Sequence, residues 1–231
     1  MQRRLSDIKR QNLQTVLGPH LECPHCHIVD TDMERITVGT PCNTCGKPSP
    51  GGRMLYSLRV LDLLEMIQAT FHAPIPVEPH LPGYDTAHRE TSAIASICTL
   101  EEVLMTHFLE RFGRARGLAP DEIDKALGQH RTFSKRQTGL LPKWTGLQWK
   151  ELVALEASTT APGFTSMNET MSEARRKRNT LAHEGAVYGL VDREFVAACI
   201  DGLPLLMAFY AALHNRYARP LLLERKAMLT G

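Results

Sequence analysis

Little in this chain points to a membrane, a secretory route or a charged scaffold. The formal net charge of the 231 residues is only +2. That excludes a polycationic nucleic-acid binder, and any RNA or DNA site must be a local patch. No uninterrupted apolar run reaches the roughly 18 residues that a membrane span needs. The stretch Met1-Gln2-Arg3-Arg4-Leu5-Ser6-Asp7 lacks the apolar core of a signal peptide. A cytoplasmic protein with no membrane partner is therefore expected. The second half shows no internal repeat and no alternating apolar–polar pattern, which leaves a mainly α fold. With 43% hydrophobic and 23% charged residues, the chain suits one or two small globular domains with real cores.

Cysteines are few, but four of the six fall in the spacing Cys23-x2-Cys26-x15-Cys42-x2-Cys45. In a reducing compartment, paired CxxC units are metal ligands more often than disulfides. Each short turn bends two sulfurs to the same side, and two such knuckles complete a tetrahedron around one Zn²⁺. Gly46, after the second pair, permits the left-handed backbone that a knuckle turn needs. Four thiolates leave no position for water, so the zinc is structural and supplies nothing to catalysis. His25 and His27 flank the ligands and read as polar knuckle surface. Residues 20–50 resemble a zinc ribbon and hold too little apolar surface to fold without such a staple. Near the cysteines only Arg35 and Lys47 are basic, which favours docking or partner recognition over nucleic-acid binding.

The remaining organisation follows from periodicity and breakers. Residues 1–19 read as a short amphipathic helix stopped by Gly18-Pro19. The segment 51–72 is a connecting helix, apolar from Met54 to Phe71. Four prolines within 73–83 forbid a helix and mark a stiff linker and domain boundary. A helical domain then spans 84–218: a long helix from about Thr86 to Arg116, a short one opened by Pro120, a polar basic loop over 131–142, and a helix near 143–157. Ser166-x-x-Glu169 has the form of a capping box and opens a helix ending near His183. Asp192 caps a final helix to Tyr217, with Pro204 a kink. Residues 219–231 are left as a C-terminal tail. Trp144 and Trp149 read as core or dimer interface, and Cys98 and Cys199 as small buried hydrophobes.

Two charges sit where apolar residues belong. On a helical wheel of 167–183, Met167, Met171, Ala174 and Leu181 share a face with Arg178 at its centre. On the long helix, Glu101 interrupts the stripe of Ile94, Ile97, Met105 and Phe108. A buried guanidinium and a buried carboxylate are natural partners, so an Arg178–Glu101 pair is expected. Asn179 lies four residues before His183, on the same side of the helix.

An all-α second half carrying Arg178-Asn179-x3-His183 and then Gly185 resembles the HEPN superfamily, over about residues 84–218. The resemblance implies a HEPN-like helical bundle preceded by the small four-cysteine zinc ribbon, a homodimer, and a metal-independent endoribonuclease of the toxin or defence type. Histidine can transfer a proton near neutral pH, and arginine offers a permanent charge and a fork to a phosphate. Position at a helix C-terminus favours imidazolium. His183 is then the proton-transfer group and Arg178 the phosphate holder, with Asn179 and Glu101 positioning them. The substrate must carry a 2′-OH, hence RNA. Arg175, Arg176 and Lys177 beside the motif, with Arg131, Lys135 and Arg136 in the loop, form the expected RNA path. An antitoxin or defence-complex partner would engage the ribbon. The alternative is a non-catalytic dimeric ribbon–HEPN module within a defence or RNA-processing complex.

Overall fold

The computed structural model describes residues 20–30, 39–48, 53–55, 57–72, 84–184 and 190–230. The expected N-terminal helix, the proline-rich linker and Gly185 lie outside the described residues. The described fold is mainly helical. Three two-residue strands open it: β1 (Leu21–Glu22), β2 (Val29–Asp30) and β3 (Arg53–Met54). They form an antiparallel sheet in the order β2-β1-β3, with Leu21 opposite both Asp30 and Met54. Helix α1 (Leu58–His72) buries Val60, Leu64 and Ile67 along α2 (Tyr84–Ala115). Helix α3 (Pro120–Gln129) has Pro at its first turn, where an N–H is not required. Its start is closed by Glu122, whose carboxylate accepts from the Ala119 N–H at 2.8 Å.

Residues 133–142, within the loop expected over 131–142, are helical. Thr132 caps α4 (Phe133–Lys135) by accepting from the Lys135 N–H at 3.2 Å. A π-helical turn over Arg136–Leu140 leads into α5 (Leu141–Thr145). The reason lies in three apolar residues among the polar ones. Phe133, Leu140 and Leu141 stand at i, i+7 and i+8, share one face, and are all buried. Helix α6 (Trp149–Thr159) follows, then α7 (Phe164–Glu184). Helix α7 starts two residues before the expected capping box. Phe164 is fully buried and anchors that first turn, and Ser166 Oγ donates back to the Gly163 carbonyl at 3.0 Å instead of capping.

Asp192 caps α8 (Arg193–Asp201) by accepting from the Phe195 N–H at 2.7 Å. The expected kink is a break at Gly202, after which α9 (Leu203–Leu213) starts with Pro204 in its first turn. A second π-helical turn, His214–Ala218, runs into α10 (Arg219–Thr230). The segment expected as a tail is thus the last helix.

The core is continuous from Val29 and Leu55 near the sheet to Ala218. An aromatic ladder, Phe133–Trp149–Phe209–Phe164, crosses it edge to face with centroids 6.1, 5.4 and 5.4 Å apart. Cys98 and Cys199 are fully buried, and burial pushes both thiols up to about 12. Val196, Leu203, Leu206, Met207 and Leu213 are buried within the chain itself. The apolar excess of this region therefore serves the protomer's own core and gives no sign of a dimer face. Two stretches, His88–Ala115 and Arg193–Leu229, are long and apolar enough on average to cross a membrane, but 67% and 61% of their most apolar windows lie inside the fold. Their apolar faces are the core.

Candidate functional site

The four ribbon cysteines converge. Their sulfurs all lie within 4.8 Å of one another, with Cys26–Cys42 at 3.8 Å and Cys23–Cys45 at 4.0 Å. A tetrahedral site with bonds of about 2.3 Å has edges of about 3.8 Å, so the cluster matches the size of a metal-binding tetrahedron. The two knuckles repeat one backbone plan. In the first, the His27 N–H donates to the Cys23 carbonyl at 2.9 Å, and the Cys23 N–H to Ile28 at 2.8 Å. In the second, Gly46 donates to Cys42 at 2.7 Å, and Cys42 to Lys47 at 3.0 Å. Both plans need positive φ at the residue after the second cysteine: +67° at Gly46 and +56° at His27. His27 Nδ1 is engaged with Glu22 at 2.7 Å, and His25 Nε2 reaches the Pro48 carbonyl at 3.1 Å, so each imidazole is tied to a protein oxygen.

The first knuckle faces the helices. Asn215 grips β2 with both ends of its amide, accepting from the Val29 N–H at 2.8 Å and donating to the Val29 carbonyl at 3.1 Å. This closes a sheet edge that would otherwise show unpaired backbone. Arg219 Nε donates to the Cys26 carbonyl at 2.9 Å, and His214 Nε2 meets the His27 carbonyl at 3.2 Å. Buried Glu22 also pairs with Arg111 of α2. Burial holds the His214 imidazole down at about 4, and that of His20 likewise. The π-helical turn makes this possible, because its extra residue re-aims His214 and Asn215 at the ribbon while Arg216 turns to buried Glu156. The second knuckle stays exposed at Asn43, Thr44 and Lys47.

The Arg-Asn-x3-His segment occupies the last turns of α7. The expected Arg178–Glu101 pair is not formed. Fully buried Glu101 pairs with Arg175, whose guanidinium also lies 4.6 Å over the Phe133 ring. Burial pushes the Glu101 carboxyl up, against the pull of Arg175. Arg178 pairs instead with Glu102 at 3.0 Å, with side-chain exposures of 30% and 34%. The wheel misplaced the two arginines for a tertiary reason. Helix α4 covers Arg175 with Phe133, while beyond it α7 is only partly covered: Leu181 still packs on the core, but Asn179, Ala182 and His183 are exposed. Arg178 Nε is enclosed without a hydrogen bond among the described residues, so its fork is not saturated.

The expected RNA path divides. Arg136 is tied to the His130 carbonyl at 3.0 Å and Thr106 Oγ1 at 2.6 Å, Lys177 to the Leu190 carbonyl at 2.5 Å, and Arg175 to Glu101. These three serve the fold. Arg131, Lys135 and Arg176 are exposed, Arg176 through a bidentate contact with Glu173. The sequence reading overlooked Glu102 and the docking residues His214, Asn215 and Arg219. Only Glu102, next to a residue already singled out, left a signal in the sequence. No family model, curated protein or solved structure matches the chain.

Proposed function

We propose that the chain is a metal-independent endoribonuclease of HEPN type, working as a homodimer, with one structural zinc on Cys23, Cys26, Cys42 and Cys45. The observation that carries this reading is the helix end itself. His183 and Asn179 are exposed one turn apart, beside a partly exposed Arg178 steadied by Glu102. In the proposed step the substrate's 2′-oxygen attacks the adjacent phosphorus and loses its proton to solvent. The bond from phosphorus to the 5′-oxygen breaks, and imidazolium at His183 protonates that oxygen. The products are a 2′,3′-cyclic phosphate and a 5′-OH. Arg178 holds the non-bridging oxygens, and Asn179 orients phosphate or imidazole. Glu102 takes the positioning role that Glu101 was expected to fill.

Five residues along a helix put Arg178 and His183 about 140° apart around the axis. A two-fold pairing of α7 ends would supply both groups to one phosphate, which is why the reading includes a dimer. A toxin or defence effector in the cytoplasm, with a partner on the exposed second knuckle, is the setting we infer.

A second reading, a non-catalytic dimeric module, draws on the Arg178–Glu102 pair, because an arginine already neutralised has a structural job. Incubation with total RNA in EDTA separates the two. The wild type is expected to cleave, leaving cyclic phosphates, and His183→Ala to be at least about 10²-fold slower while still folded and dimeric. Cleavage that depends on added Mg²⁺, or His183→Ala as fast as wild type, would reject the ribonuclease.

A further inference from the structure

Where α2 ends, a solvent-open cleft of about 390 Å³ lies between α3 and α5. Its lining includes Arg116, Lys125, Lys143, Glu122 and Trp144. The three cations are exposed, and none of them makes an ion pair among the described residues. Glu122 is engaged by the backbone at the start of α3, as above. Positive charge thus dominates the cleft, with Arg116 set over the Phe112 and Trp144 rings and Lys125 and Lys143 in no ion pair among the described residues. Trp144 is its wall. Both tryptophans were expected in the core or a dimer interface; Trp149 is buried, and Trp144 is partly buried, packed on the core edge-on to Phe112 at 6.3 Å with part of its ring open to the cleft. Gly113 lets it seat there, since a Cβ at that position would lie 3.1 Å from the indole. The Arg116 guanidinium lies 5.7 Å from the Trp144 ring centre.

We propose that this cleft binds a nucleotide of single-stranded RNA, the base stacked on Trp144 and the phosphate held by Arg116, Lys125 and Lys143. A partly open aromatic ring beside two unpaired lysines and an arginine is what a base with its phosphate needs, and aromatic stacking tolerates any base. An acidic peptide would use the cations but not the open part of the ring. The α4–α5 segment links this cleft to the motif. Phe133 lies under Arg175, which pairs with Glu101, and then Arg136 on Thr106 and Trp144 on Phe112 follow along α2. Exposed Arg131 and Lys135 lie on the same segment. About 20 Å of helix separates Glu102 from Arg116, so the cleft is a substrate-docking site distant from cleavage. The choice of RNA rests on the ribonuclease reading.

The test uses full-length His183→Ala protein and a fluorescein-labelled 12-mer of polyuridine, so that cleavage plays no part. Adding Lys125→Glu and Lys143→Glu should weaken binding at least tenfold and lower the salt slope by about 1.4, the loss of two single-strand phosphate contacts. The oligonucleotide should quench tryptophan emission, and Trp144→Phe should abolish the quenching, since buried Trp149 is the remaining indole. Circular dichroism confirms folding of each variant. Unchanged affinity in the double variant overturns the proposal. So does displacement of the RNA by polyglutamate at equal charge together with no quenching, which would mark an acidic-peptide site. A wild type that binds RNA through the lysines but never cleaves it removes the ribonuclease and leaves the docking site. A cleaving wild type whose affinity ignores the lysines does the reverse.

Discussion

The ribbon and the helical body are held together by different physics. In the body, side chains such as Ile94, Leu104 and Tyr210 are wholly enclosed, and burial of apolar surface drives folding. In the ribbon, the local cluster is Cys23, Cys26 and Cys42, with Ile28 and Cys45 packed against it, and the other enclosed side chains are His20, Glu22 and Val29. Its own strands are two residues long. Its order must come from the four-cysteine cluster and from hydrogen bonds lent by the body. A small module can thus be specified by a handful of polar contacts where a core is impossible, but each contact then matters singly.

The largest expected effect tests this directly. Cys42→Ser should lose the metal, about one equivalent by elemental analysis, and with it the ribbon's order, since structural zinc sites contribute about 10 kcal/mol or more to folding. The helical circular dichroism should persist. Collapse of the helices together with the ribbon would break the comparison.

Within the body, two adjacent carboxylates sharpen it. Glu101→Ala strands the partly buried Arg175 and should cost about 3–5 kcal/mol in urea unfolding. Glu102→Ala, whose pair with Arg178 is about a third exposed, should cost under about 1 kcal/mol. Equal costs would show that burial does not set the worth of these pairs.

Acid should act at the junction. His214 is held neutral by burial at about 4, below its ordinary 6.5, so below pH 6.5 the unfolded chain binds the proton first. Stability is full above pH 6.5, falls as pH drops toward 4, and levels off below that, a loss of about 3 kcal/mol. His214→Gln should flatten that part of the curve. The difference between the two proteins isolates the histidine from thiolate protonation common to both. Parallel curves would reject the assignment.

The most local effect belongs to one amide. Asn215→Ala leaves the Val29 backbone unpaired and should cost about 1–3 kcal/mol. It should appear as faster hydrogen exchange in residues 21–30 with metal content unchanged. Exchange as slow as in the wild type would mean that the edge is held by something else.

Legibility differed for physical reasons. The cysteine cluster was fully readable, because CxxC spacing imposes its geometry within a few residues. Helix α2, the cap at Asp192 and the interruption near Pro204 were readable for the same local reason. Helix α4–α5 was missed because three apolar residues were spread among seven polar or basic ones, and the helix exists only where Phe133 finds Trp149. At the candidate site, the sequence supplied Arg178, Asn179 and His183 as one segment of α7. Which carboxylate meets which guanidinium was decided in three dimensions. A helical wheel assumes one evenly buried face along the whole helix, whereas α7 is closely covered by α4 at Arg175 and only partly covered at Arg178. The docking of the ribbon was decided there too, by a π-helical turn that shifts His214 and Asn215 off the α-helical register. Local spacing therefore determined the four-cysteine cluster and most helices. The ion pairs, the junction and the basic cleft depended on which distant surfaces the fold brings together, which no single helix encodes.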